Sequence, residues 1–369
     1  MSAAFSFEVV ARCGRARAGI LHSPHGDLLT PVFAPVGTQA TVKALTPAQL
    51  EEVGATLVLA NTYHLYLRPG ESVVAELGGL HSFMQWPHPM LTDSGGYQVF
   101  SLSSIRRVDD DGVTFRSHLD GSPHRLTPED SIRIQEGLGA DIIMALDECP
   151  APYNRAVNEA AMRRTHAWAE RCRVAHRRED QALFGIVQGG VFADLREQSA
   201  EYLGRLAFPG YGIGGLSVGE TKPETYQMLE VVDRILPEDK PRYLMGVGAP
   251  EDLVAGVARG VDIFDCVLPT RLARHHAAMT RTGRLNMLTA KFARDAGPID
   301  GTCRCYTCTH FSRAYLRHLI QSREILAATL LSIHNLTLLI ALMSEMRDRI
   351  LDGRFSPARF RETGGVAEA

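Results

Sequence analysis

The chain has 369 residues, 45% of them hydrophobic and 22% charged, the proportions of a water-soluble globular protein long enough to bury a substantial core. Its formal net charge of −3 excludes a uniformly basic nucleic-acid binder, and seven unevenly spaced cysteines are too few for a disulfide framework, so a reducing cytoplasm is expected. The first fourteen residues mix Phe, Glu, Arg and Cys and do not read as a secretory leader. The most apolar tract, 325–343, is interrupted by Ser332, His334, Asn335 and Thr337, which predicts a buried helix and no membrane span.

Short apolar runs recur along the chain at 31–36, 56–60, 90–92, 141–146, 183–187, 212–216, 243–247 and 262–264. Each is followed by a polar or glycine-rich corner and then a helical stretch. Thr46-Pro47 and Thr127-Pro128-Glu129-Asp130 carry the N-cap, first-turn proline and, at the second site, the acids of helix starts. Apolar residues at helical spacing mark 154–176, 194–206, 221–236 and 250–259. Strands alternating with helices predict parallel βα units, and about eight of them with no glycine-rich nucleotide fingerprint predict a single α/β (β/α)₈ TIM barrel. No organic cofactor is expected.

In such barrels chemistry sits at the carboxyl ends of the strands. Those corners read Asp93-Ser94-Gly95-Gly96-Tyr97-Gln98, Asp147-Glu148-Cys149, Gln188-Gly189-Gly190, Gly214-Gly215-Leu216-Ser217 and Met245-Gly246-Val247-Gly248. In the last unit Val261, Ile263 and Phe264 predict a buried strand ending on Asp265, with Pro269 turning the chain into a loop that opens on Arg271. A lone Asp there would ordinarily cap a helix or pair with an arginine. Three acids at three strand ends point to chemistry.

Downstream the charge is uneven. Between Arg271 and Arg323 ten Lys/Arg face only Asp295 and Asp300, a local +8 that leaves −11 for the remainder and suits a polyanionic partner. Within that run Cys303, Cys305 and Cys308 place three thiols inside six residues. With one histidine they make a tetrahedral Cys₃His site for one structural zinc ion per chain, with no position left for a reacting water. His310 and His318 are candidates by proximity, and His334 could reach back from the long C-terminal helix.

The stretches VFAPVGTQATVKALTP, NTYHLYLRPG, LTDSGGYQVFSL, ALDECP, FGIVQGG, GIGGLSVGE, YLMGVG, DIFDCVLPTR and CRCYTC with His334 follow one another from Val32 to Phe355. In them the chain resembles the bacterial-type tRNA-guanine transglycosylases. The resemblance implies one catalytic barrel over residues 1–369 with a small zinc-binding subdomain at 285–345, ligated by Cys303, Cys305, Cys308 and His334. It implies exchange of guanine at the wobble position of GUN-anticodon tRNAs (those for Asp, Asn, His and Tyr) for 7-aminomethyl-7-deazaguanine (preQ1), on the route to queuosine. Carried over by residue, Asp265 is the nucleophile and Asp93 the general acid/base. The base would be held by Asp93, Ser94, Gly95, Gly96, Asp147, Gln188, Gly215 and Leu216, stacked between Tyr97 and Met245, with Cys149 and Val218 matching the preQ1 pocket. The tRNA would meet two loops, Gly246, Val247, Gly248, Ala249, Pro250, Glu251 and Asp252 in one and Thr270, Arg271, Leu272, Ala273 and Arg274 in the other. A homodimer is implied, with Phe311, Tyr315, His318 and Leu319 in the matching helix. Where the family commonly carries glycine after Pro269-Thr270-Arg271, this chain has His276, a residue less suited to positive φ.

The chemistry also follows from the residues. Replacing one base at a ribose carbon with retention needs two displacements through a glycosyl-enzyme, the logic of retaining glycosidases, whose two carboxyls lie roughly 5–5.5 Å apart. A carboxylate such as Asp147 suits the N1–H and N2–H₂ edge of guanine, and an amide or backbone N–H suits O6. An anticodon base must be flipped out to reach any such pocket. A zinc-dependent barrel hydrolase would need His-x-His after the first strand, and 31–37 has none. A non-catalytic zinc-knuckle RNA-binding module would leave the acids at the strand ends unexplained.

Overall fold

The protein is described from a computed structural model that covers residues 5–102 and 106–362. Strands β1 (Ser6–Cys13), β2 (Ala16–His22) and β3 (Leu28–Thr30) form an antiparallel sheet. Three barrel strands follow, β4 (Val32–Gly37), β5 (Val58–Ala60) and β6 (Met90–Thr92). A second antiparallel sheet, β7 (Arg106–Asp109), β8 (Gly112–Arg116) and β9 (Pro123–Leu126), is inserted next. The barrel resumes with β10 (Ile142–Met144), β11 (Ala182–Val187), β12 (Gly210–Ile213), β13 (Arg242–Leu244) and β14 (Ile263–Cys266). Those eight parallel strands close when β14 pairs β4, Asp265 opposite Ala34. The hairpin β15 (Ala277–Thr280) and β16 (Gly283–Asn286) comes after the barrel.

The expected barrel is present, and its cause is visible in the alternation. Along β11, Ala182, Phe184 and Ile186 enter an inner cluster with Val32, Ala34, Leu59 and Tyr243, while Leu183 and Val187 pack outward among the helices. Burial on both faces is why these strands read as continuous apolar runs. The strands are shorter than the runs suggest: 214–216 and 245–247 have already left the ladder and face the carboxyl-end rim. Thr46 and Thr127 make the expected helix starts, each in a capping box with a proline in the first turn.

The two antiparallel sheets were not expected. Leu21 and Leu28 of the first join the inner cluster and plug the barrel floor. Arg17, fully buried, bonds Asp262 through Nε at 2.9 Å just before β14. His25 and His81 stack with ring centroids 3.5 Å apart, each on one oxygen of buried Asp141, which heads β10.

Two expected loops are corrected. Leu268–Arg274 is a helix, with Pro269 in its first turn where no N–H is needed, so Thr270, Arg271, Leu272, Ala273 and Arg274 are helical. In the other segment only Gly246 to Ala249 is loop; Pro250, Glu251 and Asp252 open the Pro250–Val257 helix. His276 adopts φ 66°, the left-handed conformation for which glycine is the usual choice. The helix Leu326–Leu351 is long and apolar enough to cross a membrane, but Leu330, Leu331, Leu336 and Leu339 are buried as in a core helix.

Candidate active site

A cavity of about 470 Å³ opens at the carboxyl end of the barrel. Asp93 after β6, Asp147 after β10 and Asp265 near the end of β14 all line it, although they are far apart in sequence. Ser94, Tyr97, Gly215, Leu216, Met245, Gly246 and Arg271 line it too, with Cys149 and Val218. Tyr97 is 49% exposed and stands clear of the core, while Met245 is half-buried, one side packed on the inner cluster and one side on the cavity. Gly95 and Gly96 form the turn behind Asp93; a Cβ on Gly96 would come within 2.6 Å of the Asp147 carbonyl oxygen.

Each carboxylate has its own partners. Asp93 accepts from the Thr62 N–H at 2.9 Å and from the Asn61 amide. Asp147 accepts from Ser94 Oγ at 3.0 Å and Gln188 Nε2 at 2.7 Å. Asp265 accepts on a single oxygen, Oδ1, from Tyr243 Oη at 2.6 Å and Gly246 N at 2.8 Å. Burial raises the pKa of all three, Asp93 to about 7 and Asp147 to about 6. At Asp93 the charge of Asp265 adds to burial against bonds from Thr62 and Gly95. At Asp265 the Tyr243 and Gly246 donors oppose burial. The site thus holds a proton acceptor poised near neutrality beside a carboxylate whose donors favour the anion.

Gln188, Gly95 and Gly96 stand behind the cavity lining rather than in it. The Gln188 amide is committed to Asp147, and its Oε1 is buried without a partner. Val247 and Asp252 line a separate cavity, and Glu251 and Asp252 pair with Lys222. Gly248, Ala249, Pro250, Thr270, Leu272, Ala273 and Arg274 do not line the main cavity; Arg274 Nη1 caps the Thr270 carbonyl at 3.0 Å. Among the lining residues that sequence reasoning did not assign to the site, Asn61 and Tyr243 are the two that bond the carboxylates, Asn61 to Asp93 and Tyr243 to Asp265. Asn61 follows β5 at a corner like those that were read, and it caps the Thr62–Leu67 helix. Tyr243 sits inside a strand, where sequence shows only an apolar ring.

Away from the cavity, Cys303, Cys305, Cys308 and His334 bring four ligand atoms within 4.8 Å of one another. His334 Nδ1 lies 3.6 Å from Cys305 Sγ and 3.2 Å from Cys308 Sγ. Tetrahedral bonds of about 2.3 Å to sulfur and 2.0 Å to nitrogen put S and N about 3.5 Å apart, so the donor set fits a metal ion. His334 Nε2 faces the Met279 carbonyl at 2.8 Å, which assigns its proton there and leaves Nδ1 for a metal. His310, at 2.9 Å from the Tyr306 carbonyl through Nδ1, and His318 lie outside the group.

The family model described as queuine tRNA-ribosyltransferase matches residues 12–362. A curated queuine tRNA-ribosyltransferase of Herpetosiphon aurantiacus is 60% identical over 352 residues, covering 95% of this chain and 90% of the relative. That of Halothermothrix orenii is 59% identical, covering 91% and 90%, and that of Nostoc sp. is 58% identical, covering 96% of each. Matches of this extent, on a barrel of this form, place the chain in the queuine tRNA-ribosyltransferase family, pentosyltransferases that act on tRNA.

Proposed function

We propose that the enzyme exchanges the wobble guanine of GUN-anticodon tRNAs (those for Asp, Asn, His and Tyr) for preQ1 by double displacement. The observation that carries this reading is the meeting of Asp93, Asp147 and Asp265 on one cavity. Asp265 Oδ2, the oxygen not held by Tyr243 and Gly246, attacks C1′. The C1′–N9 bond breaks, and guanine leaves with its electron pair. The incoming base gives its N9 proton to Asp93, attacks C1′, and displaces the Asp265 carboxylate, and Asp93 passes that proton through solvent to the departed guanine anion, which resets both carboxylates. Asp147 accepts from the N1–H and N2–H₂ edge. The Gly215 N–H, which faces the Cys149 thiol on the cavity wall, turns to O6 when the base arrives, and Gln188, one layer behind, holds Asp147 for the base through Nε2. Tyr97 and Met245 stack on the base, with Cys149 and Val218 beside the aminomethyl group. Ser94, Gly95, Gly96 and Leu216 shape the pocket around them.

The anticodon loop approaches the open rim, where exposed Arg271 is placed for phosphate or a neighbouring base. Arg274 on the same helix and the Gly246–Ala249 turn complete that rim. The metal in the Cys₃His group is zinc, one per chain, held by four protein donors and therefore structural, within a subdomain of residues 285–345. The chain works in the cytoplasm, where its tRNA substrate is. Two copies pair through an aromatic ladder of exposed Tyr306, half-buried Phe311 and exposed Tyr315, the last two stacked at 5.4 Å, with exposed His318 alongside; Leu319 is buried and takes no part.

The test is incorporation of labelled guanine, then preQ1, into unfractionated tRNA. Guanine should enter only tRNAs with a guanine at the wobble position, and no incorporation would end the reading. The rate should climb as pH passes about 7, because Asp93 below that value is a protonated acid and cannot accept. Asp93→Asn should lower the rate roughly 10²-fold or more and flatten that limb.

A further inference from the structure

Arg196 carries its charge inside the protein without a salt bridge, and Glu220 acts on it only through space. The side chain leaves the first turn of the Ala193–Arg205 helix, is fully buried, and among the described residues forms no ion pair. Its bonds go instead to four backbone carbonyls. Nε donates to Gly190 at 2.8 Å, Nη1 to Gly214 at 2.6 Å and Val187 at 3.2 Å, and Nη2 to Gly215 at 2.9 Å. Burial pulls its pKa down to about 10, which leaves it protonated at neutral pH. A buried cation with no acid in contact opposes folding, and at Arg196 burial outweighs the distant Glu220, so the arrangement calls for a compensating use.

All four carbonyls lie at or beyond the carboxyl ends of β11 and β12, and Gly214 and Gly215 line the cavity. Gly215 holds φ 62°, and a Cβ there would run into the Gln188 carboxamide. The segment therefore has no side chain of its own to fix it at that point. In a trans peptide the C=O and the following N–H point opposite ways. Holding the Gly214 and Gly215 carbonyls toward the guanidinium turns the Gly215 and Leu216 N–H groups away from it. The Gly215 N–H meets the Cys149 thiol, which is on the cavity wall.

We propose that Arg196 is a positioning residue for base exchange: by clamping the Gly214 and Gly215 carbonyls it aims the Gly215 and Leu216 N–H donors at the carbonyl oxygen of a 6-oxopurine, with its charge behind them. This rests on the base-exchange reading above. When the C1′–N9 bond breaks, the electron pair goes to the purine and its charge spreads through the rings to O6. Donors already oriented, and backed by a cation, stabilise that charge without reorganising. A lysine keeps the charge but cannot span four carbonyls from one ammonium.

The experiment compares the wild-type enzyme with Arg196→Lys and Arg196→Gln in labelled-guanine incorporation. 2-Aminopurine, which lacks the 6-oxo acceptor, serves as the competing base. In Arg196→Lys the KM for guanine should rise about tenfold while the inhibition constant of 2-aminopurine and the KM for tRNA stay within about twofold. In Arg196→Gln kcat should also drop, by about 10²-fold. Equal weakening of guanine and 2-aminopurine overturns the proposal, as does no change in either. Failure of both variants to fold, read by circular dichroism, assigns Arg196 to the fold alone and overturns it as well. Should the wild-type enzyme incorporate no guanine, the reading beneath falls too, and that is seen before any variant is measured.

Discussion

Asp265→Asn should abolish base exchange, by about 10⁴-fold or more, while tRNA still binds. That factor is roughly 5.5 kcal/mol of barrier, the scale expected when a nucleophile is removed rather than weakened. An amide accepts from Tyr243 and Gly246 much as a carboxylate does, so the cavity should keep its shape. What is lost is the oxygen that bonds to carbon. The measurement is a denaturing gel for the covalent RNA–protein adduct, with binding followed by filter retention. An adduct formed by the variant would remove Asp265 from its role. Tyr243→Phe is the control: the carboxylate stays and one charge-assisted donor goes, worth about 1.5–3 kcal/mol at most. Its rate should fall by roughly tenfold, with adduct still visible.

Removing the metal, by chelation or by His334→Ala, is expected to cost both the C-terminal subdomain and the activity. A structural metal contributes about 10–16 kcal/mol in small folded modules, comparable with the whole stability of a typical domain. The damage should not stop at the thiols. Asn335, next to His334, accepts the Met279 N–H at 2.7 Å and donates to the Pro269 carbonyl at 2.9 Å and the Ala277 carbonyl at 3.1 Å. Pro269 begins the helix that carries Arg271 to the cavity. Metal loss should therefore reach past the subdomain to the cavity rim. Metal content by mass spectrometry, a thermal melt and the exchange rate should fall together. Metal-free protein with full exchange would sink the structural assignment.

The barrel was legible because its strands are buried on both faces and each ends in a polar corner. The acids at those corners could be read from residue type and position. Other parts were hidden for physical reasons. Strands β7 and β9 read Arg-Arg-Val-Asp and Pro-His-Arg-Leu, too polar to stand out as strands. Pro269 ends a ladder and opens a helix equally well, so sequence alone did not separate the two. The basic run overstated the free positive charge, since Arg281 pairs with Glu345, an acid from outside the run. Tyr243 was invisible as a hydrogen-bond donor because its strand is set by its ring, and only register places the hydroxyl on Asp265.

The raised pKa values of Asp93 and Asp147 bear on how this protein would respond to selection. An acid whose folded pKa lies above its unfolded value of about 3.9 stabilises the native state least once pH has risen past the folded value. For these two that window ends near pH 7 and pH 6. In mildly alkaline medium the working enzyme keeps anions where little water reaches them, and asparagine at either position relieves that tension. A library sorted only for heat resistance at pH 8 should therefore fill with sturdy, idle proteins, and any improvement programme must score turnover in the same round.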